Sequence, residues 1–423
     1  VIFESVSEIS IFTHKKRVIS MKSLVFAIII IFNSTFICQN LNSNQDSVLS
    51  KKAKQLAENI LIIDTHIDLP DWLYDEWFDV SVKTSIGEFD YPRAKSGGLN
   101  VAFMSIYTSP NLEPEGKSKI KADSLIKIVE KIELLFPDKF KIIKNTSEIE
   151  NYKNSDKILL ALGMENGSPI EGRLDNLREY YKKGIRYITL AHYKANHICD
   201  SANDPERKWN GLSPFGEEVV SEMNKLGIMI DVSHLSDSTF YDIIKLSKAP
   251  VIASHSCCRF FTPGFERNIS DEMIKELAEK GGVVQIAFAG FFLREDINKK
   301  YLQGEEEIKE HLKNYNITPG TDSAWQYESQ YWKENPVGRA TVEDVANHID
   351  HIVNLVGVDY VGIGSDFNGV GDHLPIGLED ASCYPNLIYE LLKRGYSEED
   401  IKKIFGGNLI RVWKTVEDIA EQP

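Results

Sequence analysis

The chain has 423 residues, 42% of them hydrophobic and 26% charged, a composition that excludes disorder over most of its length. Its net charge of −15 argues against a nucleic-acid partner, because phosphate backbones are held by clustered Lys and Arg. Five cysteines are few for a disulfide scaffold and none stands in a CxxC spacing, so structural thiols are expected.

In chain order, residues 1–20 carry no clear pattern and precede Met21-Lys22, which opens a short basic stretch before the apolar run 24–32. That run is too short for a bilayer, which takes ~20 apolar residues. It has the build of an export signal over 21–40, with 1–20 an over-extended start. Cys38 stands where the cysteine of a lipid-anchored protein would, although Phe36-Ile37 lack the small side chains such signals prefer. The chain is therefore expected to be exported, either secreted or held at the cell envelope, with or without a lipid anchor at Cys38. No other segment is long and apolar enough for a transmembrane helix. Residues 41–57 read as a polar, then helix-like lead-in, and 416–423 as a polar tail without an anchor signal.

Between 58 and 415, short apolar runs alternate with longer amphipathic stretches. The runs are NILIIDTH (59–66), LNVAFMSI (99–106), KILLALGME (157–165), RYITLAH (186–192), IMIDVSH (228–234), PVIASHS (250–256), GVVQIAFAG (282–290) and YVGIGSD (360–366). Near-continuous apolar runs predict strands buried on both faces, as in parallel sheets. The stretches between them, such as 213–225, 270–280 and 341–356, have helical spacing and N-cap residues at their starts. Eight such units predict a (β/α)8 TIM barrel. A doubly wound open sheet is the alternative, but no glycine-rich phosphate fingerprint follows the first run. The segment 291–340 is a long insertion on the side where barrel sites form, read as a lid, a dimer contact or a solvated helical excursion.

Polar residues gather at one edge of this pattern. Six of the eight runs end in His66 and Asp68, Glu165, His192, His234, His255 and Asp366, and four of the chain's ten histidines fall in this class. In a barrel these ends converge on one mouth. Imidazole and carboxylate suit zinc without any thiolate. In His66-Ile67-Asp68, side chains at i and i+2 leave an extended strand on the same side, so one metal can take both. His234 and His255 come from successive strands and can hold a second metal. Glu165 lies between these groups in strand order and can bridge, one oxygen to each ion. Two ions ~3.5–4 Å apart would share a hydroxide nucleophile.

The motifs DTHIDLP (64–70), GMENGSPI (163–170), LAH (190–192), DVSH (231–234), SHS (254–256), ERN (266–268) and GIGSDFNGV (362–370) resemble, in order and spacing, the motif set of the membrane (renal) dipeptidase family over about residues 58–415. The resemblance implies a zinc-dependent dipeptidase on an amidohydrolase-type barrel. It implies two Zn²⁺ ions, one on His66 and Asp68, one on His234 and His255, with Glu165 bridging. It places His192 on the substrate carbonyl oxygen, Arg267 on the free carboxylate and Asp366 in proton transfer. A dipeptide substrate, tolerance of a D-residue on its C-terminal side, and a homodimer are expected with it. The His-x-Asp start and the glutamate bridge separate the chain from amidohydrolases that open with His-x-His and bridge through a modified lysine. Ile67 departs from the His-Asn-Asp of mammalian members. Another binuclear metal-dependent amide or lactone hydrolase is the alternative, disfavoured by Arg267. A non-enzymatic secreted binding protein would show a degraded ligand set.

Other polar residues take blander readings. His348 and His351, in DVANHIDHI, are expected on a partly exposed helix face rather than as a metal pair. His197 is an outside candidate for the mouth, while Asp372 and His373 are expected to stabilise a loop. Trp72 and Trp77 either wall a substrate pocket or pack in the core. His14 and His311 are not site candidates.

Overall fold

Each of the eight apolar runs contains a strand, because a continuous Val/Ile/Leu run suits a sheet covered on both faces. The computed structural model describes residues 46–152, 155–319 and 321–421; the segment 21–40 expected to be an export signal, Cys38 and His14 lie outside them. The chain divides into two units, Val1–Lys51 and Lys52–Pro423. Of the first, the described residues 46–51 are helical.

Among its described residues the second unit holds nine strands: β1 (Ile62–Ile67), β2 (Leu99–Tyr107), β3 (Phe140–Ile142), β4 (Ile158–Glu165), β5 (Ile185–Thr189), β6 (Met229–Asp231), β7 (Ile252–Ser256), β8 (Val283–Ile286) and β9 (Val361–Ile363). Eight pair in parallel in the order β1-β2-β4-β5-β6-β7-β8-β9. β3, which the sequence reading does not contain, pairs with the first half of β4 at Ile158–Leu160, before β5 takes over at Leu162. The ring closes just beyond β9, through a parallel bridge between Ile67 and Phe367. The Asp68 N–H donates to the Phe367 carbonyl at 2.8 Å, and the Asp366 N–H to that of His66 at 3.1 Å. This is the expected (β/α)8 barrel.

Two apolar layers follow from the two-residue period of the strands. Ile63, Val101, Phe103, Leu159, Ala161, Tyr187, Met229, Ile252 and Val283 form one cluster, inside the barrel. Leu409, Val412, Trp413 and Val416, from the C-terminal helix Asn408–Ile419, complete it and seal the floor. Their neighbours in sequence, such as Ala102, Leu160, Leu162, Ile188 and Val284, join the larger layer between strands and helices. The helices begin where the caps predict. Ser213 accepts from the Gly216 N–H and Ser270 from the Met273 N–H. Thr341 and Asp344 form a reciprocal capping box. Among the described residues no helix is long and apolar enough to cross a membrane. The insertion forms the helices Gly290–Leu293, Glu295–Asn314 and Asp322–Glu334.

Candidate metal centre and active site

Glu165 is the last residue of β4, in phase with Leu159 and Ala161, so its carboxylate points into the barrel mouth. Its two oxygens face different partners. Oε1 lies 3.1 Å from Nε2 of His234, 3.3 Å from that of His255 and 3.4 Å from that of His192. Oε2 lies 3.6 Å from Nε2 of His66. His66 Nε2 is in turn 3.5 Å from Oδ2 of Asp68. Three overlapping groups have their ligand atoms mutually within 4.8 Å: His66–Glu165–His255, Glu165–His192–His234 and His66–Asp68–Asp366. The structure thus brings together His66, Asp68, Glu165, His192, His234, His255 and Asp366, none of them more than 9% exposed.

Local backbone geometry aims these side chains. An irregularity in the β1–β2 register between Asp64 and Ile67 re-aims the strand end, as bulges do beside functional sites. His234 and Asp366 both sit at φ +67°, a left-handed conformation that costs a non-glycine residue ~1–3 kcal/mol. Hydrogen bonds hold them there. The His234 carbonyl accepts from the Ala202 N–H at 2.8 Å, and the Asp366 carbonyl from the Gly369 N–H at 3.0 Å. Gly369 lies so close to the carboxylates of Asp366 and Asp68 that a Cβ would meet each at 2.3 Å. Only glycine lets that loop fold over them.

The electrostatics fit a bound cation. Burial lowers the pKa of His234 and His255 well below the imidazole range, reinforced by Arg267 and neighbouring histidines, and lowers that of His192. These rings are therefore neutral, as metal ligands must be. Burial opposes charge on Glu165 too, but the surrounding His192, His66, His234 and His255 hold its pKa well below the usual carboxylate range. Around His66, burial is outweighed by Tyr187, Asp68 and Glu165, whose field favours a positive charge at this ring that a bound cation would supply in place of a proton. His66 Nε2 is buried without a hydrogen-bond partner. A bare nitrogen between two carboxylates suits a metal ion. Burial, with Asp68 and Glu165 nearby, pushes Asp366 up to about 8.

Above the cluster is a cavity of about 330 Å³ walled by Trp72, Tyr107, Tyr193, Phe291, Phe292, Tyr301 and His373, within the range for small-molecule sites. Phe291 and Tyr301 stack 4.0 Å apart, Tyr301 and Trp332 stack at 5.3 Å, and His373 stands edge-on to all three. The insertion therefore builds one wall. Arg267, 4% exposed, lines an adjoining cavity that shares Tyr193, Phe291, Phe292 and Tyr301 with the first. Its Nη1 donates to Ser256 Oγ at 2.9 Å and its Nη2 to the His255 carbonyl at 2.8 Å, while Nε has no partner.

The other polar residues resolve individually. His348 corrects the expectation of an exposed face: it is fully buried, accepting from the Cys258 N–H at 2.9 Å and donating to the Leu293 carbonyl at 3.0 Å. His351 pairs with Asp271, and His197 with Glu113, away from the cluster. His373 reaches the cavity wall, and Trp72 walls it while donating to the Asn368 carbonyl. Trp77 packs on the core under Lys131. The four described cysteines are free thiols. Sequence reasoning missed Tyr187 and Ser254, which touch His66 and His255 from behind, and Asp231, which accepts from the Ser254 hydroxyl. A tyrosine in an otherwise aliphatic strand, and the Asp and Ser of DVSH and SHS, were the available signals.

A parallel barrel that gathers buried imidazoles and carboxylates around one shared carboxylate belongs to the metal-dependent barrel hydrolases. The membrane dipeptidase family, peptidase family M19, matches residues 50–423, and the chain belongs to it. It is 32% identical to an uncharacterized dipeptidase of Schizosaccharomyces pombe over 403 residues, 89% of this chain and 86% of that protein. It is 33% identical to the dipeptidase aclJ of Aspergillus oryzae over 342 residues, 79% and 71% of the two chains. Among solved structures it is similar to the probable dipeptidase PvdM from Pseudomonas aeruginosa, with 26% identity, a TM-score of 0.76 and coverage of 88% and 100%. It shares its fold with a metallo peptidase from Rhodobacter sphaeroides liganded with a phosphinate mimic of the dipeptide L-Ala-D-Ala, at 24% identity, TM-score 0.69 and coverage of 85% and 99%. The protein is a metal-dependent dipeptidase.

Proposed function

We propose that this dipeptidase uses two zinc ions, bridged by Glu165, to hydrolyse dipeptides with a free C-terminal carboxylate. The observation that carries the reading is the division of the Glu165 oxygens, one toward His192, His234 and His255 and the other toward His66. His66 and Asp68 hold one ion, His234 and His255 the other. Bound zinc supplies an acidified water and polarises the scissile carbonyl. His192 donates from Nε2 to the carbonyl oxygen and steadies the charge that develops there. Asp366, buried beside Asp68, takes the proton released by the attacking water and delivers it to the leaving amine, which departs only when protonated. Arg267 offers a planar fork to the terminal carboxylate, one residue beyond the scissile bond, and so selects dipeptides. A D-residue on the C-terminal side is included in the substrate range; the ligand of the Rhodobacter sphaeroides neighbour supports this. Export through the segment 21–40 belongs to the same reading.

The test is metal content beside turnover. The purified protein is expected to hold two zincs and to cleave L-L and L-D dipeptides but not their C-terminal amides. Two zincs without dipeptide cleavage would move the activity to another amide or a lactone, and absence of metal would overturn the reading.

A further inference from the structure

His66 and His255 both present Nε2 to Glu165, and each has its Nδ1 against a hydroxyl whose proton is committed elsewhere. The Tyr187 hydroxyl donates to the Thr65 carbonyl at 3.0 Å and lies 2.8 Å from His66 Nδ1. A phenol has one proton, so toward Nδ1 it can only accept. His66 therefore carries its hydrogen on Nδ1, which leaves the Nε2 lone pair bare. Ser254 does the same for His255. Its Oγ donates to Asp231 Oδ2 at 2.6 Å and lies 2.8 Å from His255 Nδ1. Asp231 also accepts from the backbone N–H groups of Ser233 and Ser254 and from the Thr189 hydroxyl.

We propose that Tyr187 and Ser254 are positioning residues, one for each metal ion, which fix the ligand tautomers of His66 and His255 and so set the two affinities separately. This rests on the ligand assignment above. The relays share no atom, and they arrive from different strands: Tyr187 from β5, Ser254 from β7. The strand that carries Glu165 also accommodates the first relay. At Gly163, two residues before Glu165, a Cβ would lie 2.0 Å from the Tyr187 ring. β4 thus leaves an opening that only glycine provides, and the phenol crosses it to reach β1. The ring is fully buried, 5.4 Å from that of Phe103, so it cannot swing away. Neither hydroxyl lines the substrate cavity, so neither can touch substrate.

The test is a chelator-competition zinc titration of the full chain and of Tyr187→Phe, Ser254→Ala and Gly163→Ala, with anomalous diffraction at the zinc edge to locate the ions. Loss of such a supporting partner weakens a metal site by about 10–100-fold. Tyr187→Phe keeps the ring in its slot and is expected to weaken only the ion on His66 and Asp68. Gly163→Ala, which displaces the ring, is expected to follow it. Ser254→Ala is expected to weaken only the ion on His234 and His255, and turnover in all three recovers as zinc is raised. Wild-type affinity at both sites in Tyr187→Phe or Ser254→Ala would overturn the proposal. So would equal loss of both ions in each variant, which a merely structural role would give. A wild-type chain that holds no zinc would instead overturn the ligand assignment itself.

Discussion

The backbone N–H of Asp366 donates to the carbonyl of His66 at 3.1 Å. His66 belongs to the first strand and Asp366 lies just beyond the last, and this bond, with the one from Asp68 to Phe367, closes the barrel. Closing the fold therefore also carries Asp366 to His66 and Asp68. A variant that disturbs the ring at this seam would disturb the chemistry with it, whereas a side-chain change at Asp366 leaves the seam intact.

That separation makes Asp366→Asn a clean test of proton transfer. Asparagine tolerates the left-handed backbone that Asp366 adopts and keeps the backbone N–H. Metal content is expected to stay at the wild-type level while kcat falls by about 10²–10⁴-fold, the usual worth of a general acid–base group. Near-normal turnover in a steady-state assay would remove Asp366 from that role.

Glu165→Ala should behave differently. Both halves of the cluster face this one carboxylate, so metal and activity are expected to disappear together. The loss of affinity should exceed the roughly 10–100-fold that a supporting partner is worth. Elemental analysis after dialysis, set beside dipeptide turnover, reads both quantities from one sample.

Arg267→Ala is expected to lower kcat/KM for free-acid dipeptides by about 10–100-fold, the scale of a lost hydrogen bond to a charged group. The C-terminal amides of the same dipeptides should change little. An equal fall for acids and amides would mean that Arg267 acts on Ser256 and His255, which it already touches, rather than on the substrate.

The buried His348 gives the fold a pH dependence of its own. Burial lowers its pKa from 6.5 to about 4, so between these values the unfolded chain binds a proton that the folded chain does not. The stabilisation is complete above pH 6.5 and is lost as pH falls toward 4, amounting to about 3 kcal/mol over the window. Urea midpoints measured across that range should fall less steeply for His348→Gln than for the wild type. Parallel profiles would show that another group carries the effect.

Much of this architecture was legible in the chain. A strand buried on both faces must be apolar throughout, so its polar C-terminal residue stands out, and Glu165, His192, His234 and His255 were readable for that reason. β3 was not, since Phe140–Ile142 is too short to show a period. His348 looked exposed because its partners, the Cys258 N–H and the Leu293 carbonyl, come from distant loops that no local pattern announces. The same holds for the stack of Phe291, Tyr301 and Trp332. Three rings spaced along an insertion acquire a common function only when the helices fold back over the mouth.

The apolar plug beneath the cluster bears on traffic through the enzyme. Leu409, Val412, Trp413 and Val416 occlude the barrel from below, so the vessel is open at one end only. A reactant and the two amino acids made from it must share that doorway. Departure of the first fragment then precedes arrival of the next molecule, and accumulated amino acids compete with fresh dipeptide for the same vestibule.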